Sequence, residues 1–287
     1  MKALSETELR SLVELLDEED PRSLELVRHE ILTIGEPVIP FLEELRARSG
    51  SELAARADAM SRELRFSKLK DDFLDWARRP SPELESGALL LSRFGYPGVA
   101  PSLYSRWLDR VAARVQEEIP SGAQAPAVLQ RLTSVLFQEM GFAGNESNYY
   151  DPDNSYLNRV IETRRGIPVS LSVLTLLLGA RLNLPVYGVG TPGHFLVGFL
   201  SGPRACFIDA FNRGRLLDLE GVRHMLTRSG YEFRREYVSP VAARDIVVRM
   251  MRNLISIYQK AGSADRADML SSLVEVLLTG RTSRGSD

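Results

Sequence analysis

Cysteine is almost absent. Cys206 stands alone, so no intrachain disulfide can form, which fits a reducing compartment. Histidine is nearly as scarce. His29, His194 and His224 lie far apart, and no His/Cys/Asp/Glu group has metal-ligand spacing, so neither a metal nor a cofactor is expected. Charge imbalance is missing too. A net charge of −2 excludes bulk attraction to nucleic acid or an anionic membrane. The most apolar run, Ile167 to Ala180, contains a proline and two serines and is too short to span a bilayer. The polar first residues lack the apolar core of a secretory signal. No glycine-rich phosphate loop occurs, since Gly188-Val-Gly190 lacks the strand-to-helix setting of a dinucleotide fingerprint. These absences predict a cytoplasmic globular protein with no nucleic-acid or membrane partner.

What is present is mostly helix. Ser5 and Glu8 make a capping-box pattern before Leu9, Leu12, Val13 and Leu16. Asp20-Pro21 reads as an N-cap and first helical position, and that helix stops near Gly35. A third helix starts near Pro37, and two more are expected over about 51–64 and 66–78. Ile34 to Leu45 has the look of one HEAT-type helix pair. Arg78-Arg-Pro-Ser-Pro82 is the best linker candidate, with Ser81 capping the next helix. Helices over about 101–118 and 125–139 follow. The chain closes with two helices over about 242–279, broken at Gly262 and spaced like half a tetratricopeptide repeat, then a polar tail from Arg281 to Asp287. The expected division is a helical region over 1–80, a core over 81–240 with helical lead-in, and a C-terminal helical hairpin and tail over 241–287.

Residues 141–214 concentrate the chemistry. An irregular stretch over 142–153 is rich in Asn, Tyr and Asp. Asp153 or Asn154 is placed to cap a helix to Arg165, with Gly166 as its stop, and Arg164 and Arg165 read as complements to its dipole. Pro168 opens a helix to about residue 182, apolar nearly all round and therefore buried. Strands are expected from Leu184 to Val189, Phe195 to Leu200 and Ala205 to Phe211, the last two joined as an antiparallel hairpin by Gly202-Pro203. A further helix over 218–228 is capped by Asp218. A buried helix, a strand led by His194 and a strand carrying Asp209 together suit a base and the carboxylate that orients it. In the loop, Asn145, Tyr149, Tyr150, Asp151 and Asn154 are candidate ligand contacts, although Asn and Asp also serve turns and caps.

Arg165-Gly-Ile-Pro-Val-Ser-Leu-Ser172, Pro192-Gly-His-Phe195 and Ile208-Asp-Ala-Phe-Asn212 resemble the second type of transglutaminase-like core, the SirB-type bacterial family also found in some F-box proteins. Gly141-Phe-Ala-Gly-Asn145, Tyr149 to Asn158 and Leu89-Leu-Leu with Tyr96-Pro97 fit the same family. The likeness covers about 81–280. It implies an α+β, cysteine-protease-like fold: a central helix against a small antiparallel sheet, with helices at both ends. It also implies a catalytic triad, with a cysteine at the start of the central helix.

The chain departs from that pattern where it matters most. Counting back from Leu184-Pro185 puts the family's cysteine at Pro168, which has no nucleophile. Cys206 is three residues before Asp209, and strand alternation turns the two to opposite faces. Ser170 is turned about 200° from position 168, and Ser172 lies about 6 Å deeper on nearly the same face. Ser172 is thus the nearest stand-in, yet a serine there commonly bonds a carbonyl four residues back. The leading expectation is a non-catalytic pseudoenzyme binding a peptide, protein or small ligand beside His194 and Asp209. One alternative is an amide or peptide hydrolase in which His194, tuned by Asp209, activates water. Another is a scaffold whose helical ends bind a protein.

Overall fold

The computed structural model describes residues 4–200 and 205–279. Contacts divide the chain into two compact units, Met1–Asp72 and Phe73–Asp287. The first holds α1 (Glu6–Glu14), α2 (Pro21–Ile34), α3 (Ile39–Arg48) and the greater part of α4 (Ser51–Arg78). The caps form as expected. The Glu8 N–H donates to the Ser5 hydroxyl at 3.4 Å, and the Ser5 N–H donates back to the Glu8 carboxylate at 2.7 Å. Asp20 accepts from the Ser23 N–H at 2.8 Å, and Gly35 ends α2 at φ 80°. Leu9, Val13, Ile31, Leu42, Met60 and Leu64 share this unit's core.

α4 corrects the sequence reading: it is one helix of 28 residues, not two. Ala57, Met60 and Leu64 are buried on one side, whereas Leu69, Phe73 and Trp76 are buried roughly half a turn around the axis. A stripe that changes face partway looks in sequence like a break.

The second unit opens with α5 (Leu84–Gly95), α6 (Pro101–Glu117) and α7 (Ala125–Thr133), which runs into a π-type turn over Ser134–Glu139. Ser81 does not cap α5. The helix starts after Glu83, whose carbonyl accepts from the Trp76 indole N–H at 2.9 Å and the Ser86 hydroxyl at 3.1 Å. Next come β1 (Ala143–Gly144), α8 (Leu157–Thr163), β2 (Arg165–Gly166) and α9 (Pro168–Arg181). Every residue of α9 from Pro168 to Gly179 is buried, as its all-round apolarity requires.

The sheet is built from β3 (Val186–Val189), β4 (Leu196–Leu200), β5 (Ala205–Asp209), β6 (Arg215–Leu217) and β7 (Pro240–Val241), in the order β6-β5-β4-β3-β7 with antiparallel neighbours. β4 and β5 form the expected hairpin, with Val197 opposite Ile208 and Leu200 opposite Ala205. Its turn, with Gly202 and Pro203, lies outside the described residues. The short strands β6 and β7, and the parallel pairing of β1 with β2, were not expected. α9 packs against β3 and β4. α10 (Leu219–Arg228) is capped by Asp218, which accepts from the Gly221 N–H at 2.8 Å. α11 (Ala243–Lys260) and α12 (Ala264–Thr279) form the C-terminal hairpin, turned at Gly262 with φ 72°. The tail from Arg281 to Asp287 lies outside the described residues. The unit is α+β, with a central buried helix against a small antiparallel sheet. No described helix is long and apolar enough to cross a membrane.

Candidate functional site

A tight turn presents His194 just before β4. The His194 N–H donates to the Thr191 carbonyl at 3.3 Å, with Pro192 second in the turn and Gly193 third at φ 69°. This is the type II arrangement, in which the third place favours glycine. The Thr191 hydroxyl donates to the His194 carbonyl at 2.8 Å and fastens the turn.

The register of β4 and β5 brings Asp209 beside this turn. His194 Nε2 lies 2.9 Å from Asp209 Oδ1. Asn212 supplies two more donors, its backbone N–H to Oδ1 at 3.2 Å and its side-chain amide to Oδ2 at 2.7 Å. The Asp209 side chain is only 5% exposed, so burial alone pushes its pKa up. The His194 and Asn212 hydrogen bonds, together with the His194 charge, outweigh burial and hold the carboxyl below its ordinary value. The chain therefore has an ionised aspartate holding one imidazole nitrogen. The other nitrogen, Nδ1, has no hydrogen-bond partner among the described residues.

α9 carries a proline and two serines toward its start. Pro168 occupies its first position and is buried. The Ser170 hydroxyl donates to the Asn154 carbonyl at 2.5 Å and accepts from the Ile167 N–H at 3.1 Å, so it tacks the loop to the helix start. Ser172 does not bond four residues back. It reaches across to the Phe195 carbonyl at 3.3 Å. That contact puts the Ser172 face of α9 against the residue after His194, with Pro168 one turn nearer the helix start on the same face. Cys206, on β5, pairs in register with Phe199; burial pushes its thiol up, so the reactive thiolate is disfavoured.

The loop residues separate into two groups. Asn145, Asn154 and Asp151 mainly hold the loop together. The Asn145 amide donates to Asn154 Oδ1 at 3.0 Å, and the Asn154 amide donates to the Asn148 and Tyr149 carbonyls at 2.7 and 3.3 Å. Asp151 accepts from the Asn148 amide at 3.0 Å and from the Asp153 N–H, also at 3.0 Å. Tyr149 and Tyr150 present rings instead. Tyr149 stands edge-on to Phe211 at 6.0 Å, and Phe211 edge-on to His194 at 6.1 Å, so one phenylalanine joins the loop to the histidine. Tyr150 is exposed, with the Lys260 ammonium 3.8 Å above its ring.

Two local expectations are corrected here. Neither Asp153 nor Asn154 caps α8: Asp151 caps a 3₁₀ turn over Pro152–Ser155, and α8 starts after Tyr156 with no side-chain cap. α8 ends at Thr163, and the left-handed residue that stops it is Arg164 at φ 59°, not Gly166. The arginines are not free dipole complements. Arg164 donates to the Met140 carbonyl at 3.0 Å and Arg165 to the Gly141 carbonyl at 2.9 Å, which ties the loop's entry to its exit.

Arg249 was missed in the sequence. It projects from α11 and donates through Nη2 to the carbonyls of Thr191 at 2.7 Å and His194 at 2.8 Å. The available signal was a lone arginine among Ile246, Val247, Val248, Met250 and Met251, all buried. Among the described residues no group of three or more His, Cys, Asp or Glu could hold a metal ion.

Several known proteins are similar in sequence to this chain. The family model of the transglutaminase-like superfamily matches residues 103–252. The chain is 37% identical over 190 residues to a UPF0162 protein of Xylella fastidiosa strain 9a5c, covering 64% of this chain and 68% of that protein. It is 28% identical over 196 residues to a UPF0162 protein of Pseudomonas aeruginosa, covering 66% and 70%. Mouse F-box only protein 21 is 28% identical over 159 residues, covering 53% of this chain and 25% of that protein. No solved structure matches. With the matched segment spanning α9, the sheet strands β3 to β7 and the His194–Asp209 pair, the chain belongs to the transglutaminase-like superfamily.

Proposed function

We propose that this protein is a non-catalytic member of its superfamily, binding a peptide, protein or small ligand in the cleft beside His194. One observation carries the reading: a buried proline opens the central helix where the resemblance places the nucleophile, while His194 and Asp209 remain paired at 2.9 Å. The nearby hydroxyls support it. Ser170 and Ser172 are fully buried, and each donates to a backbone carbonyl, so neither is poised for proton abstraction by an imidazole. Tyr149 and Phe211 wall the same corner and offer an apolar contact surface.

The test is covalent labelling. The intact chain, incubated with fluorophosphonate and thioester acyl donors, is expected to show no added mass. A stoichiometric adduct that disappears in His194→Ala defeats the reading. One geometric feature favours a second reading. Among the described residues His194 Nδ1 has no hydrogen-bond partner while Asp209 holds Nε2, as in a histidine ready to act as general base on water. Hydrolysis of an amide library that survives Ser172→Ala but not His194→Ala would select that alternative.

A further inference from the structure

We propose that four exposed arginines of the second unit, Arg164, Arg165, Arg213 and Arg215, form a docking surface for an acidic segment of a partner protein. The proposal does not rest on the cleft reading, because it uses side chains other than the His194–Asp209 pair.

The strand β1 brings the four together. The Ala143 N–H donates to the Arg164 carbonyl at 3.1 Å, and the Asn145 N–H to the Gly166 carbonyl at 3.0 Å. Between them the Gly144 N–H points the other way and donates to the Phe211 carbonyl at 3.0 Å. So β1 lies between the segment of Arg164 and Arg165 and the turn that starts at Phe211. At one strand spacing on each side, those two segments stand about 10 Å apart. A second contact closes the same neighbourhood. The Gly214 backbone packs on the Phe137 ring, with no room for a Cβ. Phe137 belongs to the π-type turn, and the residues just after that turn, Met140 and Gly141, are those whose carbonyls Arg164 and Arg165 hold.

All four arginines are exposed, and none has a carboxylate within ion-pair distance among the described residues. Arg164 and Arg165 use Nη1 on carbonyls. Their Nε and Nη2, the two donors of one guanidinium edge, make no hydrogen bond among the described residues, and the Arg213 and Arg215 side chains make none at all there. Other exposed arginines are met by acids, Arg10 by Glu44 and Arg48 by Glu14. Here the neighbouring acids are taken. Glu139 bonds Arg114 and Arg131, Glu162 bonds Arg159 and Tyr104, and Asp209 holds His194 and Asn212. Glu146, exposed past the end of β1 away from Arg164, pairs with none of the four. The backbone adds a separate observation. Among the described residues only three other than glycine have positive φ, and two are Arg164 at 59° and Arg213 at 56°. Glycine holds that conformation at less cost. Arg164 offsets the cost with its bond to Met140, whereas Arg213 makes no bond in return, and strain of this kind gathers where ligands are held.

Four like charges gathered without a counter-charge repel one another, and a bound anion relieves that repulsion. A carboxylate matches a free guanidinium edge in two parallel hydrogen bonds. The length of the anion is limited by the rest of the protein. The whole chain carries a net charge of −2, so without these arginines the remainder is more acidic still, by four charges. A long polyanion would run from the arginines onto that acidic remainder, whereas a short run of Asp and Glu stays on the arginines.

The experiment titrates the full chain with labelled acetyl-Glu-Ser-Asp-Gly-Glu-Ser-Asp-Gly-amide, with its Gln/Asn isostere, and with an oligothymidylate of similar length. Fluorescence anisotropy at low salt reads binding, and the backbone amide signals of residues 164–165 and 213–215 locate it by NMR. The acidic peptide is expected to bind saturably, to shift those signals and to weaken as salt rises, and the isostere not to bind. Arg213→Glu with Arg215→Glu should weaken the peptide about tenfold or more. Arg22→Glu with Arg79→Glu, exposed arginines far from the four in sequence, should leave it unchanged. Equal binding of the isostere, no saturable binding of the acidic peptide, or binding that leaves the located signals unmoved overturns the proposal. Tighter binding of the oligothymidylate at those signals overturns the choice of a protein partner in favour of a nucleic acid. The comparison of peptide with isostere uses the wild-type chain, so it stands even if a charge-reversed variant folds poorly.

Discussion

Replacing Gly144 with alanine drives a methyl group into the ring of Phe211. A Cβ built at this position lies 2.5 to 2.6 Å from three Phe211 ring carbons, closer than carbon atoms approach. The backbone cannot retreat freely, because the Gly144 N–H donates to the Phe211 carbonyl at 3.0 Å and β1 pairs with β2. The ring must swing instead, and it is the ring that touches both His194 and Tyr149. Forcing a methyl into a filled site costs about 1–3 kcal/mol. For a unit of this size each kcal/mol moves Tm by about 2–4 °C, so the expected loss is about 2–12 °C. Calorimetry reads the loss, and NMR of the His194 ring reads the displaced neighbour. A double-mutant cycle isolates the cause: with Phe211→Ala already present, Gly144→Ala should cost under about 0.5 kcal/mol. An unchanged Tm with unmoved His194 signals refutes the packing argument. A full cost that persists in the Phe211→Ala background refutes the assignment of that cost to this ring.

Further outcomes follow from the same geometry. Tyr156 is fully buried, and its hydroxyl lies 2.7 Å from that of Tyr258, so Tyr258→Phe should cost about 1–3 kcal/mol in urea unfolding. Tyr156→Phe combined with Tyr258→Phe should cost less than the two single changes added together; strict additivity counts against the pair. Asp209 has its folded pKa below its unfolded value of about 3.9, so its contribution is full above that value and is lost as pH falls through the folded one. Wild type should therefore exceed Asp209→Asn in stability at pH 7 by more than at pH 3. An equal or larger gap at pH 3 contradicts the sign.

Much of this was legible in the sequence because local chemistry dictates it. Ser5 with Glu8, and Asp20 with Pro21, announce their helices through side chains only three residues from the groups they cap. The buried character of α9 follows from leucine and valine on all sides, and the His194–Asp209 pair from two strand motifs. What was hidden depends on partners distant in sequence. α4 reads as two helices because its buried face turns halfway along. β1, β2, β6 and β7 are two or three residues long, too short for any period, and exist through pairing. Asn154 looks like a helix cap, but its amide reaches back to the Asn148 and Tyr149 carbonyls. Arg249 lies 55 residues beyond His194, and only the packing of α11 brings the two together.

If position 168 is the nucleophile position of a site whose histidine and aspartate are still in place, supplying the missing thiol there restores an activated cysteine. In a Cys206→Ser background, Pro168→Cys puts a cysteine at the first position of α9, where the helix N-terminus favours thiolate. The measurement is the pH dependence of its alkylation by a small methanethiosulfonate. The expected inflection lies below the ordinary thiol value of about 8.5 and moves upward when His194→Gln is added. An inflection at or above about 8.5 that ignores His194 contradicts the placement of the nucleophile at 168, as does a thiol there that does not react at all.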